Sequence, residues 1–274
     1  MRNQSWNTRK EIFLQYEPNP FGGRLAYFGH AANPAFWDDR WDKLESEKLY
    51  DRARQGVLQY YLRDTFLRWV KPDSKVLEAG CGLGAFTVAT FNKGYRSEGV
   101  DFAPNVIQQL NKRFPHIKFF QGDVRDLKSI PNGHYDAVYS PGVCEHFREG
   151  PDAVLTEAHR ILRKEGIFIL TAPLFNPLRR LLSLLGCFGS KESREIDFYQ
   201  YAFTERELSL RLRKVAFTVV QTRPYGAWQT CKEHFWPLSK INRKSIERYI
   251  GFFLNHVPAI RWIGHMCVWV GKKN

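Results

Sequence analysis

The chain has 274 residues, 43% hydrophobic and 25% charged, which is ordinary for a globular protein and enough to bury a sizeable core. Its formal net charge of +13 favours acidic partners such as nucleic acid, anionic lipid headgroups or phosphorylated metabolites, and fourteen Lys or Arg against seven Asp or Glu lie between Pro173 and Ile250. The five cysteines are odd in number and widely spaced, so they point to neither a disulfide framework nor a metal site, and no apolar run of about twenty residues marks a membrane-spanning helix.

The polar stretch Met1–Lys10 lacks the apolar segment of a secretory signal, so a cytoplasmic protein is expected. Residues 1 to about 40 read as an irregular aromatic arm in which Phe36-Trp37-Asp38-Asp39-Arg40-Trp41 stands out. From Trp41 to Val70 the apolar residues recur at helical spacing, so residues 1–70 are expected to form an arm and a helical cap. From Lys75 strands and helices alternate. Strands are predicted at Lys75–Ala79, Ser97–Asp101, Ile117–Gln121, Tyr135–Ser140 and Ile167–Thr171. Helices are predicted at Ala85–Lys93, Pro104–Phe114 and Pro151–Arg163. Such alternation predicts an α/β fold, a parallel sheet with helices on both faces. Pro173–Tyr201 interrupts the order and is expected to be a lid, with a basic, apolar helix at Pro177–Gly186. That helix is expected either to pack over a pocket or to lie on a membrane surface. A capping box, Thr204-Glu205-Arg206-Glu207, starts the next helix. A strand follows at Phe217–Thr222, then a second insertion at about 223–263, then a last strand at His265–Val270.

Ligands in open α/β sheets bind beyond the carboxyl ends of the strands. The first strand runs into Glu78-Ala79-Gly80-Cys81-Gly82-Leu83-Gly84, a turn whose glycines let the backbone bend sharply and approach a ligand. Glu78 suggests a ligand with a positive group. The turn also fits a dinucleotide fingerprint through Gly80-x-Gly82-x-x-Ala85, so an NAD-dependent oxidoreductase stays open at this point. The second strand ends in Asp101, placed to accept hydrogen bonds from two ribose hydroxyls. After the third comes Gly122-Asp123-Val124, an acid for an exocyclic adenine amine and an apolar residue for its ring, with Phe102 as an alternative cover. Ser140 ends the fourth strand, and Glu145 and His146 just beyond it are the candidate catalytic pair. No metal ligands are expected.

These motifs, together with Gly99-Val100-Asp101, Tyr135–Ser140 and Arg160-Ile161-Leu162-Arg163-Lys164-Glu165-Gly166, resemble the core of class I S-adenosylmethionine (SAM) methyltransferases, over residues 75–172. Among these, the group related to ubiquinone-biosynthesis and other small-molecule methyltransferases is the nearest in pattern. The resemblance implies a Rossmann-like, doubly wound seven-stranded sheet whose last strand is antiparallel. It implies SAM as cofactor, with Gly80, Cys81, Gly82 and Gly84 near its methionine part, Asp101 at the ribose, and Asp123 and Val124 at the adenine. Glu165 departs from the usual proline of the family. The fourth strand lacks the Asn-Pro-Pro-Tyr type of motif, so nucleic acid is not the expected acceptor. The expected activity is O- or C-methylation of a small acceptor such as a lipid, quinone precursor or glycan intermediate, with contact to an anionic membrane as a partner. A non-catalytic SAM- or nucleotide-binding module with a basic face is the other class of reading.

Overall fold

The computed structural model describes residues 12–44, 47–58, 60–188, 196–234, 249–250, 254, 257 and 263–274. Most of the second predicted insertion, and Met1–Lys10, lie outside the described residues. The arm is not irregular throughout. Strands β1 (Phe13–Glu17) and β2 (Arg24–Phe28) form an antiparallel hairpin with Phe13 opposite Phe28. The Asn19 side chain organises its loop by accepting the N–H groups of Phe21 and Gly23 at 2.9 and 3.0 Å.

The helical pattern that begins near Trp41 is three helices, not one: α1 (Pro34–Leu44), α2 (Glu47–Arg54) and α3 (Tyr60–Trp69). Helix α2 stops because Gly56 takes a left-handed φ of +68°. Gly56 N–H then donates to Ala53 O and Val57 N–H to Arg52 O, a paired C-terminal closure that satisfies carbonyls the helix leaves open.

The alternating region follows the predicted order. It comprises β3 (Lys75–Ala79), α4 (Ala85–Phe91), β4 (Arg96–Asp101), α5 (Pro104–Arg113), β5 (Lys118–Gln121), β6 (Tyr135–Pro141), α6 (Asp152–Ile161) and β7 (Leu162–Pro173). Within the first insertion lie α7 (Pro177–Leu184) and a strand the periodicity does not announce, β8 (Phe198–Ala202). Then come α8 (Glu205–Lys214), capped by the Thr204 hydroxyl, β9 (Phe217–Tyr225), α9 (Ala227–His234) and β10 (Met266–Lys273).

Seven strands form one sheet in the order β5-β4-β3-β6-β7-β10-β9. The first five are parallel, and β10 runs antiparallel between β7 and β9. This is the mixed α/β sheet expected, with the last strand of the chain as its antiparallel member. Both faces are covered, and the strand period of two divides the core. Leu77, Val138, Phe168, Leu170 and Trp269 pack toward α6 and α8. Val76, Tyr139, Ile169, Val268 and Val270 pack toward α2 to α5.

A second sheet, β1-β2-β8, leans on the first. Its Ala26, Phe28 and Tyr201 join the core on the α6 side. The Arg24 guanidinium caps the Tyr201 ring at 3.8 Å. The sequence-distant arm and insertion thereby become one unit beside the carboxyl ends of the main strands.

Candidate active site

The carboxyl ends of β3, β4, β5 and β6 converge on a cleft of about 470 Å³, a size usual for small-ligand sites. Gly80 follows β3, Asp101 ends β4 and Phe102 follows it, Gly122, Asp123 and Val124 follow β5, and Gly142 and His146 follow β6; all line the cleft. This is the place where the strand order reverses, with β4 and β5 to one side of β3 and β6 and β7 to the other. The opposite wall comes from the arm: Asn33, Pro34, Trp37 and Trp41. No described residue of 173–201 is among those lining it, and α1 covers the cleft from the side of the arm.

The glycine turn is tight for two reasons. Gly80 and Cys81 N–H groups both donate to Val100 O, at 2.8 and 2.9 Å, which folds the turn back over β4. Gly82 has φ +47°, and a Cβ there would sit 2.7 Å from the Trp41 indole. The absent side chain is what lets α1 close down on the turn. Gly84 serves packing, since a Cβ would press on Phe119 and Leu110.

Asp101 is only 4% exposed. Its Oδ2 accepts Gly82 N–H at 2.8 Å and its Oδ1 accepts Ala103 N–H at 3.0 Å. Burial raises its pKa, and the backbone donors oppose that rise. The Phe102 N–H is a third backbone donor to this group, and the carboxylate still keeps acceptor capacity for a ligand hydroxyl. Asp123 is committed differently. Arg125 grips it with Nε to Oδ1 at 3.0 Å and Nη2 to Oδ2 at 2.7 Å, and also reaches Glu149. Partial burial pushes the Asp123 carboxyl up, and Arg125 more than offsets this, leaving it below its ordinary value.

Three of the predicted residues stand behind the cleft wall. Glu78 Oε2 accepts the N–H and hydroxyl of Thr87 at 2.9 and 2.5 Å, so this acid anchors the start of α4. Burial raises its pKa to about 8. The Ser140 hydroxyl donates to Ala79 O at 3.0 Å, tying β6 to β3. Cys81 is buried and its thiol pKa is pushed well up by burial; it acts as a small apolar residue.

His146 lies in a 3-10 turn, Cys144–His146, directly after β6. Its Nδ1 is 2.8 Å from the carbonyl oxygen of Tyr199 in β8. A carbonyl only accepts, so Nδ1 carries the proton and Nε2 holds the lone pair. Trp37 and Tyr199 pack edge-on against the imidazole, each at 5.0 Å between centroids. Burial lowers its pKa to about 4, with the Arg40 charge adding to the shift and the Tyr199 bond opposing it. Neighbouring Glu145 is 2% exposed, and its Oε2 has no hydrogen-bond partner among the described residues. Burial raises its pKa to about 8, so it is a neutral acid at pH 7.

The roles of Trp37, Trp41, Tyr199 and Arg125 were not assigned from sequence. The Trp-rich run signals an aromatic wall, but only the fold shows which wall.

Residues 77–170 match the methyltransferase domain family. Malonyl-acyl-carrier-protein O-methyltransferase of Serratia marcescens is 26% identical over 110 residues, covering 40% of this chain and 42% of that protein. Demethylmenaquinone methyltransferase of Lysinibacillus sphaericus is 28% identical over 134 residues, covering 44% and 55%. The chain thus spans about half the length of these relatives. Among solved structures, the methyltransferase in complex with the Trm112 activator from Haloferax volcanii superposes with a TM-score of 0.57 at 18% identity, over 89% of this chain and 98% of that one; the likeness shows the fold. Residues 77–170, which supply the strand-end side of the cleft, are therefore similar to SAM-dependent methyltransferase domains. The family match decides between the two cofactors the glycine turn had left open.

The cleft fits SAM. An apolar, positive-φ turn at Gly80, an acid with spare lone pairs at Asp101 and an apolar patch at Phe102 and Val124 lie in the order that methionine, ribose and adenine require. The Arg125 grip on Asp123 is the one feature that competes with an adenine amine.

Proposed function

We propose that this chain transfers a methyl group from SAM to an oxygen or carbon of a small acceptor that is apolar or anionic. The observation that carries this is the convergence of Gly80, Asp101, Val124 and His146 on one cleft covered by indole rings. SAM supplies a methyl already activated by its sulfonium, so the protein's work is alignment and exclusion of water. Asp101 holds the ribose end. Gly80, with its left-handed φ of +79°, turns the backbone toward the methionine part, and Trp41, seated on Gly82, closes the turn from above. Trp37 and Trp41 stack at 5.3 Å and present an aromatic wall to the acceptor.

His146 Nε2 accepts a hydrogen bond from the acceptor. A base whose pKa is about 4 is weakly matched to deprotonating a neutral alcohol at pH 7, because proton transfer works best when the pKa lies near the operating pH. This favours acceptors that are already acidic, and it makes orientation the larger part of the His146 role. Arg125 and Arg148 line the same cleft, but they are paired with Asp123, Glu149 and Glu17, so the aromatic wall and not their charge is what supports the acceptor reading.

The test is transfer of label from methyl-labelled SAM to a panel of carboxylic, phenolic and quinol acceptors. Turnover of an acidic acceptor is expected, and His146→Gln should lower kcat by about 10²-fold or more with SAM affinity unchanged. Wild-type turnover in His146→Gln would remove the assigned role. SAM binding without label transfer to any acceptor would favour the non-catalytic module.

A further inference from the structure

We propose that the outward face of α7 docks on the surface of an anionic lipid bilayer, at the same edge of the molecule as the cleft. Leu181, Leu184 and Leu185 are 53%, 86% and 67% exposed. At spacings of three and four they form a single stripe along the helix. Large apolar side chains left this open in one place mark a contact surface.

The exposure does not come from a loosely held helix. Helix α7 is fixed through polar pins on its inner side. Asn176 caps it by accepting Arg179 N–H at 2.9 Å, and its own Nδ2 donates to Gly264 O at 2.9 Å. The Arg179 side chain is fully buried. Its guanidinium donates to Leu174 O at 2.7 Å, to Glu233 Oε2 at 2.6 Å and to His265 Nδ1 at 2.8 Å. The helix is thus anchored without Leu181, Leu184 and Leu185, which leaves the stripe for a partner.

Charge selects the partner. Arg180 is exposed one turn before Leu184, and long basic side chains beside an apolar stripe reach lipid phosphates while their stems stay in apolar surroundings. The whole chain carries +13. A basic, apolar-faced helix at a surface is the pattern of interfacial binding. Among the described residues no helix is long and apolar enough to cross a membrane, so the contact is with one leaflet. Topology brings it to the cleft: Gly142 of the cleft lip donates to Thr171 O at 3.0 Å, and β7 runs two residues further before the turn into α7.

The full chain is sedimented with vesicles of mixed phosphatidylglycerol and phosphatidylcholine, and with phosphatidylcholine alone. The wild type should pellet with the anionic vesicles. Leu181→Ser/Leu184→Ser/Leu185→Ser should lower the partition coefficient by roughly tenfold or more, as expected for removing apolar area from the acyl boundary. Arg180→Glu should weaken binding to the anionic vesicles and leave the phosphatidylcholine arm unchanged. SAM affinity, read in parallel, should match wild type in both variants; it reports on the cofactor site alone, so the membrane proposal and the functional reading fail separately. The proposal is overturned if the wild type stays in the supernatant with anionic vesicles, or if the triple variant pellets equally. It is also overturned if the stripe instead drives lipid-free self-association that the triple variant abolishes in sedimentation velocity.

Discussion

Glu145 is buried and its neighbour His146 half-buried at the cleft wall, and their pKa values are shifted in opposite directions, to about 8 and about 4. Their contributions to stability therefore fall in different windows. His146 is depressed below its unfolded value of 6.5, so the unfolded chain binds the proton more readily; stability is intact above pH 6.5 and is lost as pH falls toward 4. Glu145 is raised above 4.5, so its contribution is present below pH 4.5 and is lost as pH rises toward 8. At 1.36 kcal/mol per unit the His146 window is at most about 3 kcal/mol and the Glu145 window at most about 5 kcal/mol. Thermal melting across pH tests this. Between pH 6.5 and 8 Glu145 titrates together with Glu78, and Glu145→Gln should remove its own share of the fall in Tm there. An unchanged slope in that variant would show that Glu145 is already ionised. At this scale Asp101 and His146 were legible in the sequence because strand ends mark ligand sites. The turn inward of Glu78 was not, because only the packed helix shows that the Thr87 hydroxyl and N–H claim its oxygen.

The element that decides access to the cleft is α1. None of its residues is buried, yet Trp41 rests on the glycine turn and Trp37 on His146. Gly82→Ala should act in two ways. It places an alanine at a left-handed φ, costing about 1–2 kcal/mol, and it pushes the Trp41 ring off the turn. SAM affinity should fall, and Gly82→Ala/Trp41→Ala should lose less than the sum of the two single changes, since the collision then vanishes. Additive losses in that cycle would mean that Trp41 does not press on Gly82. The strands and helices from Lys75 to Thr171 were readable from periodicity and turn residues. The hairpin β1–β2 was readable in principle, as two short amphipathic runs around Asn19-Pro20-Phe21-Gly22-Gly23. Strand β8 was not, because its pairing partner β2 lies about 170 residues away and nothing local announces it. Its role is nonetheless central: the Tyr199 carbonyl sets the tautomer of His146.

At the scale of the molecule, a parallel sheet supplies the cofactor edge while residues from the arm and β8 supply the rest of the site. Because β3 to β6 pair in parallel, their carboxyl ends lie side by side at one edge of the sheet. That division explains why the methyl donor is easier to read from the sequence than the acceptor. The proposed donor contacts sit at strand ends with fixed spacing, whereas the proposed acceptor contacts come from segments that meet only in the folded chain. The central claim is that SAM binds at this edge through Asp101. Isothermal titration of SAM into the wild type and Asp101→Ala tests it most directly. The account predicts one SAM per chain, with affinity about 10- to 100-fold weaker in the variant, the loss expected for hydrogen bonds to a charged group. Absence of binding by the folded wild type, or equal affinity in Asp101→Ala, would contradict it.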